Sequence, residues 1–289
     1  MKRDQAIGIY CNPIAGSGTK TKQALRALKL KLQAAGHAFA IIPSESKDAA
    51  AVWLAQNPST TTFIVIGGDG TINFIVDRLP KLRNITVLPV PLGTANIIAH
   101  NAAITAASSL KIASAINNQG QTKPCLFGAS FGFDAAVVAA MNTTRTGNIT
   151  ICSYIYPIIK MLFSFESHKQ IVNIDGKDID SFDFGIIAQT AIYGSHRLKL
   201  TSCNQPNTWQ IFLIKNLTRY NMLQALCYGL FSNLKNAPCV SCYKAELITV
   251  KPLTASTPLQ IDGESYGASP LTMTVTHKTL TTLKNINKL

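Results

Sequence analysis

The sequence predicts two domains of different class: a doubly wound α/β domain at the N-terminus, and an antiparallel, β-rich and sandwich-like domain at the C-terminus. Three observations predict them. In the first third, short apolar runs alternate with segments whose apolar residues recur at helical spacing, and alternation of strand and helix implies right-handed crossovers and a parallel sheet. Beyond about residue 122 the rhythm changes to short β-like runs between turn residues, the signature of an antiparallel domain. The chain has 289 residues, enough to bury a core in each half.

In order, Ala6 to Cys11 reads as a buried strand, and Gly16-Ser-Gly18 opens a helix carrying Leu25, Leu28 and Leu32. Ala38 to Ile42 is the next strand, with a helix over Lys47 to Gln56. Thr62 to Ile66 ends at Gly67-Gly-Asp-Gly70, ahead of a helix with Ile72, Ile75, Val76 and Leu79. Ile85 to Val90 is the fourth strand, and Gly93-Thr-Ala-Asn96 leads into another helix. The second half has β-like runs at Cys125 to Phe131, Gln170 to Ile174, Asp183 to Gln189, Trp209 to Ile214, Lys244 to Val250, Leu259 to Ile261 and Leu271 to Thr276. Helical segments interrupt them near Ile149 to Phe165 and Arg219 to Leu234, and their apolar faces predict core packing, with an acyl groove or a bilayer contact as the alternatives.

Lys and Arg number 27 against 14 acids, a formal charge of +13, but 47% of residues are hydrophobic and only 14% charged. That balance excludes a disordered or histone-like chain and suits phosphates or an anionic membrane surface. No basic stripe interleaved with aromatics is visible, so nucleic acid is not an expected partner. The seven cysteines are scattered and odd in number, as reduced thiols are, and Cys239-x-x-Cys242 lacks a second ligand pair for zinc. Ala6 to Cys11 is too short for a signal-peptide core, and Pro157 and Lys160 interrupt the most apolar stretch, Ile149 to Phe163. The expectation is a cytoplasmic protein in peripheral contact with membranes; composition leaves a homodimer open.

Functional groups of an open α/β sheet lie beyond the carboxyl ends of its strands. Three glycine-bearing loops fall there: Asn12-Pro-Ile-Ala-Gly-Ser-Gly18, Gly67-Gly-Asp-Gly-Thr71 and Pro91-Leu-Gly-Thr-Ala-Asn96. Glycine lets a backbone approach an anion, and the following helix offers free N–H groups. Neither the P-loop spacing nor G-x-G-x-x-G is present. Asp69 is distinctive, because a carboxylate in a phosphate-cradling loop calls for a cation between the two, and Mg²⁺ with a nucleotide supplies one. Lys20 and Lys22 are either phosphate contacts or a solvated helix face.

These loops, together with Gly67-Gly-Asp-Gly-Thr-Ile-Asn73, Gly132-Phe-Asp134 and Asp262-Gly-Glu264, occur in the order in which they resemble the motif set of the diacylglycerol kinase catalytic-domain family, which includes bacterial lipid kinases and sphingosine and ceramide kinases. The resemblance implies a nucleotide-binding domain of NAD kinase and diacylglycerol kinase type over 1–122, rejoined by 278–289, and a lipid-substrate domain over 123–277. It implies ATP along Asn12, Ile14, Ala15, Gly16, Ser17 and Gly18, along Gly67, Gly68, Asp69, Gly70, Thr71 and Asn73, and at Thr94. It further implies Asp69 and Asp134 as supports for Mg²⁺, Asp69 as catalytic, and Glu264 as the general base toward a lipid hydroxyl. Taken alone, Asp134 also reads as a helix cap and Asp262-Gly263 as a hairpin turn.

Three positions depart from the pattern. Phe74 stands where many members carry Glu, Ile97 where Asp is frequent, and Cys203-Asn-Gln-Pro-Asn207 carries no acid where an acidic loop often holds a second metal. That second metal is not expected. The implied activity is ATP-dependent phosphorylation of diacylglycerol or a related lipid. The alternatives are a NAD-kinase-like enzyme with a soluble substrate and a weakly catalytic lipid- or nucleotide-binding regulator.

Overall fold

Ile7–Cys11 forms β1, buried at every position, as an apolar run in a parallel sheet with both faces covered must be. The computed structural model of the chain describes residues 7–13, 18–79, 83–104, 109–143, 155–201 and 208–283. It divides into two compact units, Met1–Leu110 with Lys278–Leu289, and Lys111–His277.

In the first unit, β1 is followed by α1 (Gly18–Ala34), β2 (Phe39–Ile41), α2 (Lys47–Gln56), β3 (Thr62–Gly67), α3 (Asp69–Asp77), β4 (Ile85–Pro91) and α4 (Ile97–Ile104). β1 lies between β2 and β3, and β3 pairs with β4, all in parallel. α1 buries Leu28 and Leu32 against Ile9, Ile64 and Ile66, with Leu25 half-buried beside them. α2 begins where the Ser46 hydroxyl accepts the N–H of Ala49 at 3.0 Å, satisfying one of the free donors of the first turn. This is the α/β order that the alternation of runs predicts.

The chain continues through β5 (Ser109–Asn117), β6 (Thr122–Cys125), β7 (Gly128–Phe131), α5 (Phe133–Thr143), α6 (Ile155–Ser164), β8 (Gln170–Ile174), β9 (Lys177–Phe182), β10 (Phe184–Ala188), β11 (Ile192–Tyr193), β12 (Ser195–Lys199) and β13 (Gln210–Ile214). Then come α7 (Arg219–Phe231), β14 (Ser241–Lys244), β15 (Leu247–Pro252), β16 (Pro258–Ile261), β17 (Glu264–Ala268) and β18 (Leu271–Thr282). One antiparallel sheet runs β14-β13-β10-β7-β16-β17. β8 pairs with β9 and β15, and β15 with the first part of β18. Phe131, Ile187, Ile211 and Leu259 from the first set share a core with Val172, Ile248, Val250 and Met273 from the second, which makes the second unit a β-sandwich. Phe131 lies over Gly185, where an added Cβ would come within 2.3 Å of its ring.

Several expectations change. Cys125 to Phe131 is two strands, because the N–H groups of Leu126, Phe127 and Gly128 all turn onto the Asp262 carboxylate. Lys244 to Val250 is likewise split between β14 and β15, with Ala245 N–H donating to the Trp209 carbonyl. β5, unread from the sequence, buries Ala113 and Ala115 in the sandwich core. β18 runs on to Thr282, where Leu280 to Thr282 lie parallel to Ile85 to Val87 of β4. The helical segment expected from Ile149 is described only from Ile155, and α7 ends at Phe231 before a short 3₁₀ turn, Leu234–Asn236.

Candidate functional site

In the first unit the loops after β3 and β4 emerge side by side, since Gly67 is in register with Pro91. They touch backbone to backbone: a Cβ on Gly93 would lie 2.5 Å from the Gly68 Cα, and one on Gly68 would lie 2.9 Å from the Gly93 Cα. Only glycine permits this approach. Asn96, at φ +49°, closes its own loop by accepting the Gly93 N–H at 3.0 Å and donating to the Gly93 carbonyl at 2.7 Å.

Asp69, the first residue of α3, reaches across to cap α4. Its two carboxylate oxygens accept the N–H groups of Ile97 at 2.7 Å and Ile98 at 3.0 Å. Burial pushes its carboxyl above the ordinary range, opposed by those two N–H groups. Asn12, just past β1, donates to the Thr71 hydroxyl at 3.1 Å and so ties the first strand to the start of α3. Gly67 leaves room for that hydroxyl, which would lie 2.4 Å from an added Cβ. The buried amide of Asn73 has no hydrogen-bond partner among the described residues. Gly70 and Thr94 are exposed, and Gly18 is the first residue of α1. Ile14, Ala15, Gly16 and Ser17 lie outside the described residues. Lys20 and Lys22 are exposed on α1. Phe74 packs against Tyr10, with ring centroids 5.5 Å apart, and the Arg78 guanidinium lies 5.2 Å over its ring.

The second unit holds the other acids of the motif set. Gly132, at φ +86°, turns the chain from β7 into α5, where Asp134 stands in the first turn. One Asp134 oxygen accepts from the Ser130 hydroxyl at 2.6 Å, the Tyr193 hydroxyl at 2.8 Å and the Gln260 amide at 3.3 Å. Burial pushes the Asp134 carboxyl up despite these donors, and it pushes the Tyr193 hydroxyl well up, with the Asp134 charge adding to it.

Asp262 and Gly263, at φ +51° and +81°, form the two-residue turn between β16 and β17, as left-handed Asp-Gly pairs do in hairpins. The Asp262 carboxylate is buried and accepts three consecutive N–H groups, from Leu126 at 2.7 Å, Phe127 at 2.9 Å and Gly128 at 3.0 Å. Burial pushes its pKa up to about 6, with the same N–H groups pulling the other way. Gln260 connects this turn to Asp134, since its carbonyl accepts the Gly263 N–H at 2.8 Å while its amide reaches Asp134 and Ser130. Glu264 opens β17 with its side chain 54% exposed, and its carboxylate meets the Lys123 ammonium at 2.6 Å.

Residues 7–128 match the family described as the diacylglycerol kinase catalytic domain, and residues 128–284 match the YegS C-terminal NAD kinase beta sandwich-like domain. The chain belongs to the diacylglycerol kinase catalytic-domain family. It is a kinase, of lipid-kinase or NAD-kinase-like type. Among solved structures it is similar to a Bacillus anthracis str. Sterne protein provisionally assigned as a diacylglycerol kinase, at 18% identity over 97% of this chain and 96% of that one, with a TM-score of 0.71. A diacylglycerol kinase from the same strain gives 16% identity, 97% and 98% coverage and a TM-score of 0.66. Yeast NADH kinase in complex with NADH gives 12% identity, 100% and 88% coverage and a TM-score of 0.55. At these identities the likeness is one of fold. No curated protein sequence matches the chain.

Sequence reasoning passed over Ser130, Gln260, Tyr193 as a ligand of Asp134, and Lys123. A signal was available for two of them, because Ser130 and Gln260 are single polar residues inside apolar strand runs, and a polar group buried in a sheet needs a partner.

Proposed function

We propose that this kinase transfers the γ-phosphate of ATP to a free hydroxyl of diacylglycerol or a related lipid, with Glu264 as general base. The observation that carries this is the setting of Glu264: a half-exposed carboxylate, ion-paired to Lys123, on a hairpin whose turn is locked by three N–H groups on Asp262. A base must be held in place to meet a hydroxyl, and it must keep access to substrate. Proton transfer to Glu264 accompanies attack of the lipid oxygen on the γ-phosphorus, the bond from that phosphorus to the bridging oxygen breaks with release of ADP, and Lys123 balances the charge of the carboxylate before the proton arrives.

The touching loops at Gly68 and Gly93, beside the start of α3, bring two strand-to-helix turns together without intervening side chains, a place suited to a phosphate chain. Asn12, Gly67 to Asn73, Thr94 and Ile14 to Gly18 are the residues assigned to it here, and the unpartnered Asn73 amide is a free donor and acceptor in that segment. Among the described residues no group of three His, Cys, Asp or Glu could hold a metal ion. Magnesium would be brought in with the nucleotide. Asp69 and Asp134 would support it with lone pairs their N–H and O–H partners leave open, and the ion would neutralise phosphate charge.

Purified protein with labelled ATP, Mg²⁺ and mixed micelles of extracted lipids is expected to give a labelled phospholipid. Glu264→Gln is expected to lower turnover about 10²- to 10⁴-fold, the usual contribution of a general base; unchanged turnover would remove Glu264 from that role. A second reading, phosphorylation of NAD, is favoured by the NAD kinase-like description of the C-terminal match. Transfer to NAD without lipid or detergent, and none to lipid, would select it.

A further inference from the structure

α7 is built inside out. It buries its small residues, Ala225 and Gly229, and the Leu198 side chain of β12 packs close to Gly229, 2.6 Å from where a Cβ would stand. The large apolar residues face solvent instead: Tyr220 is 71% exposed and Phe231 85%, with Leu223, Leu226 and Leu230 on the same side at three- and four-residue spacing. α6 does likewise with Tyr156, Ile159 and Phe163. The two helices meet where the Arg219 guanidinium lies 5.1 Å over the Phe163 ring. Core packing, the principal expectation for these segments, is thus overturned for this face.

We propose that the outward face of α6 and α7 docks on an anionic lipid bilayer. A contiguous apolar face of this kind marks an interaction surface, and its chemistry selects the occupant. Neither helix contains Asp or Glu, whereas Lys160 and Arg219 supply cations among the aromatic and aliphatic side chains. Aromatics and leucines backed by Lys and Arg are the composition of helices that lie in the headgroup region. The net charge of +13 is complementary to such a membrane, and it opposes covering the face with a second copy that carries the same cations. Among the described residues no helix is long and apolar enough to cross a membrane, so the contact is one of lying on the surface.

The inference extends the lipid-kinase proposal but rests on exposure and charge, and its test needs no nucleotide. The full chain is mixed with vesicles of phosphatidylcholine alone or with half phosphatidylglycerol, and binding is read by co-sedimentation. Binding to the anionic vesicles that weakens with salt is expected, with little to the neutral ones. The double variant Leu223→Gln with Phe231→Gln is expected to bind about 100-fold more weakly, roughly tenfold for each large apolar side chain removed, with an unchanged melting temperature. Phe231→Trp, in an otherwise unchanged chain, is expected to show a blue shift of the added indole emission on anionic vesicles; this arm stands even if the double variant misfolds. Equal binding by wild type and the folded double variant would overturn the proposal, as would an added indole emission that anionic vesicles leave unshifted. So would a solution dimer that the double variant converts to monomer, since a second copy would then own the face. Transfer to a short-chain lipid in micelles, retained by the double variant, separates loss of docking from failure of the kinase proposal.

Discussion

Asp69 and Asp262 sit in glycine-flanked turns, one in each unit, and each holds backbone N–H groups from a distant segment. They differ in number and depth. Asp69 is half-buried and takes two N–H groups at the start of one helix, whereas Asp262 is buried and takes three that would otherwise be lost from a strand ladder. Both carboxyls are pushed up by burial, Asp262 to about 6. A carboxylate next to glycine is thus a fastener of backbone as well as a candidate for chemistry, and the deeper of the two holds the hairpin that carries Glu264.

Asp262→Ala strands three buried donors and is expected to destabilise the fold by about 4 kcal/mol in urea unfolding. Asp69→Ala, which removes a partly exposed cap, is expected to lose about 2 kcal/mol; an equal or larger loss there would reverse the ranking. Titration sharpens the same contrast with a smaller effect. An acid whose pKa is higher in the folded chain than in the unfolded one binds its proton more tightly when folded, so its contribution is greatest at low pH and falls as pH rises from 3.8 toward about 6. Between pH 5 and pH 6 Asp262 is expected to lower unfolding stability by about 1 kcal/mol. Asp262→Asn should flatten that slope, and a slope left unchanged would assign it to Asp69 and Asp134 instead.

Much of the first unit was legible because its signals are local. Leu28 and Leu32 sit at helical spacing and are buried, and Gly67-Gly-Asp-Gly70 turns from strand to helix as its glycines require. The second unit was read less well. Cys125 to Phe131 looks like one apolar strand, and nothing within that run reveals the carboxylate that breaks it, 136 positions further on from Leu126. The apolar stripe of α7 is equally visible in the sequence, but its direction is not, since the face that turns inward is the one carrying the small Ala225 and Gly229.

The sequence by itself determined the succession of strands and helices in the first unit, the glycine turns and the family, because apolar periodicity and turn chemistry act over a few residues. Tertiary packing decided which acids also hold backbone N–H groups and which carboxylate is left half-exposed beside a cation. Asp69 and Asp262 are enclosed by N–H groups from segments far along the chain, while Glu264 is left half-exposed beside Lys123, 141 positions away. Burial, and with it the state of a carboxylate, is a property of what packs around it, and only the folded chain supplies that.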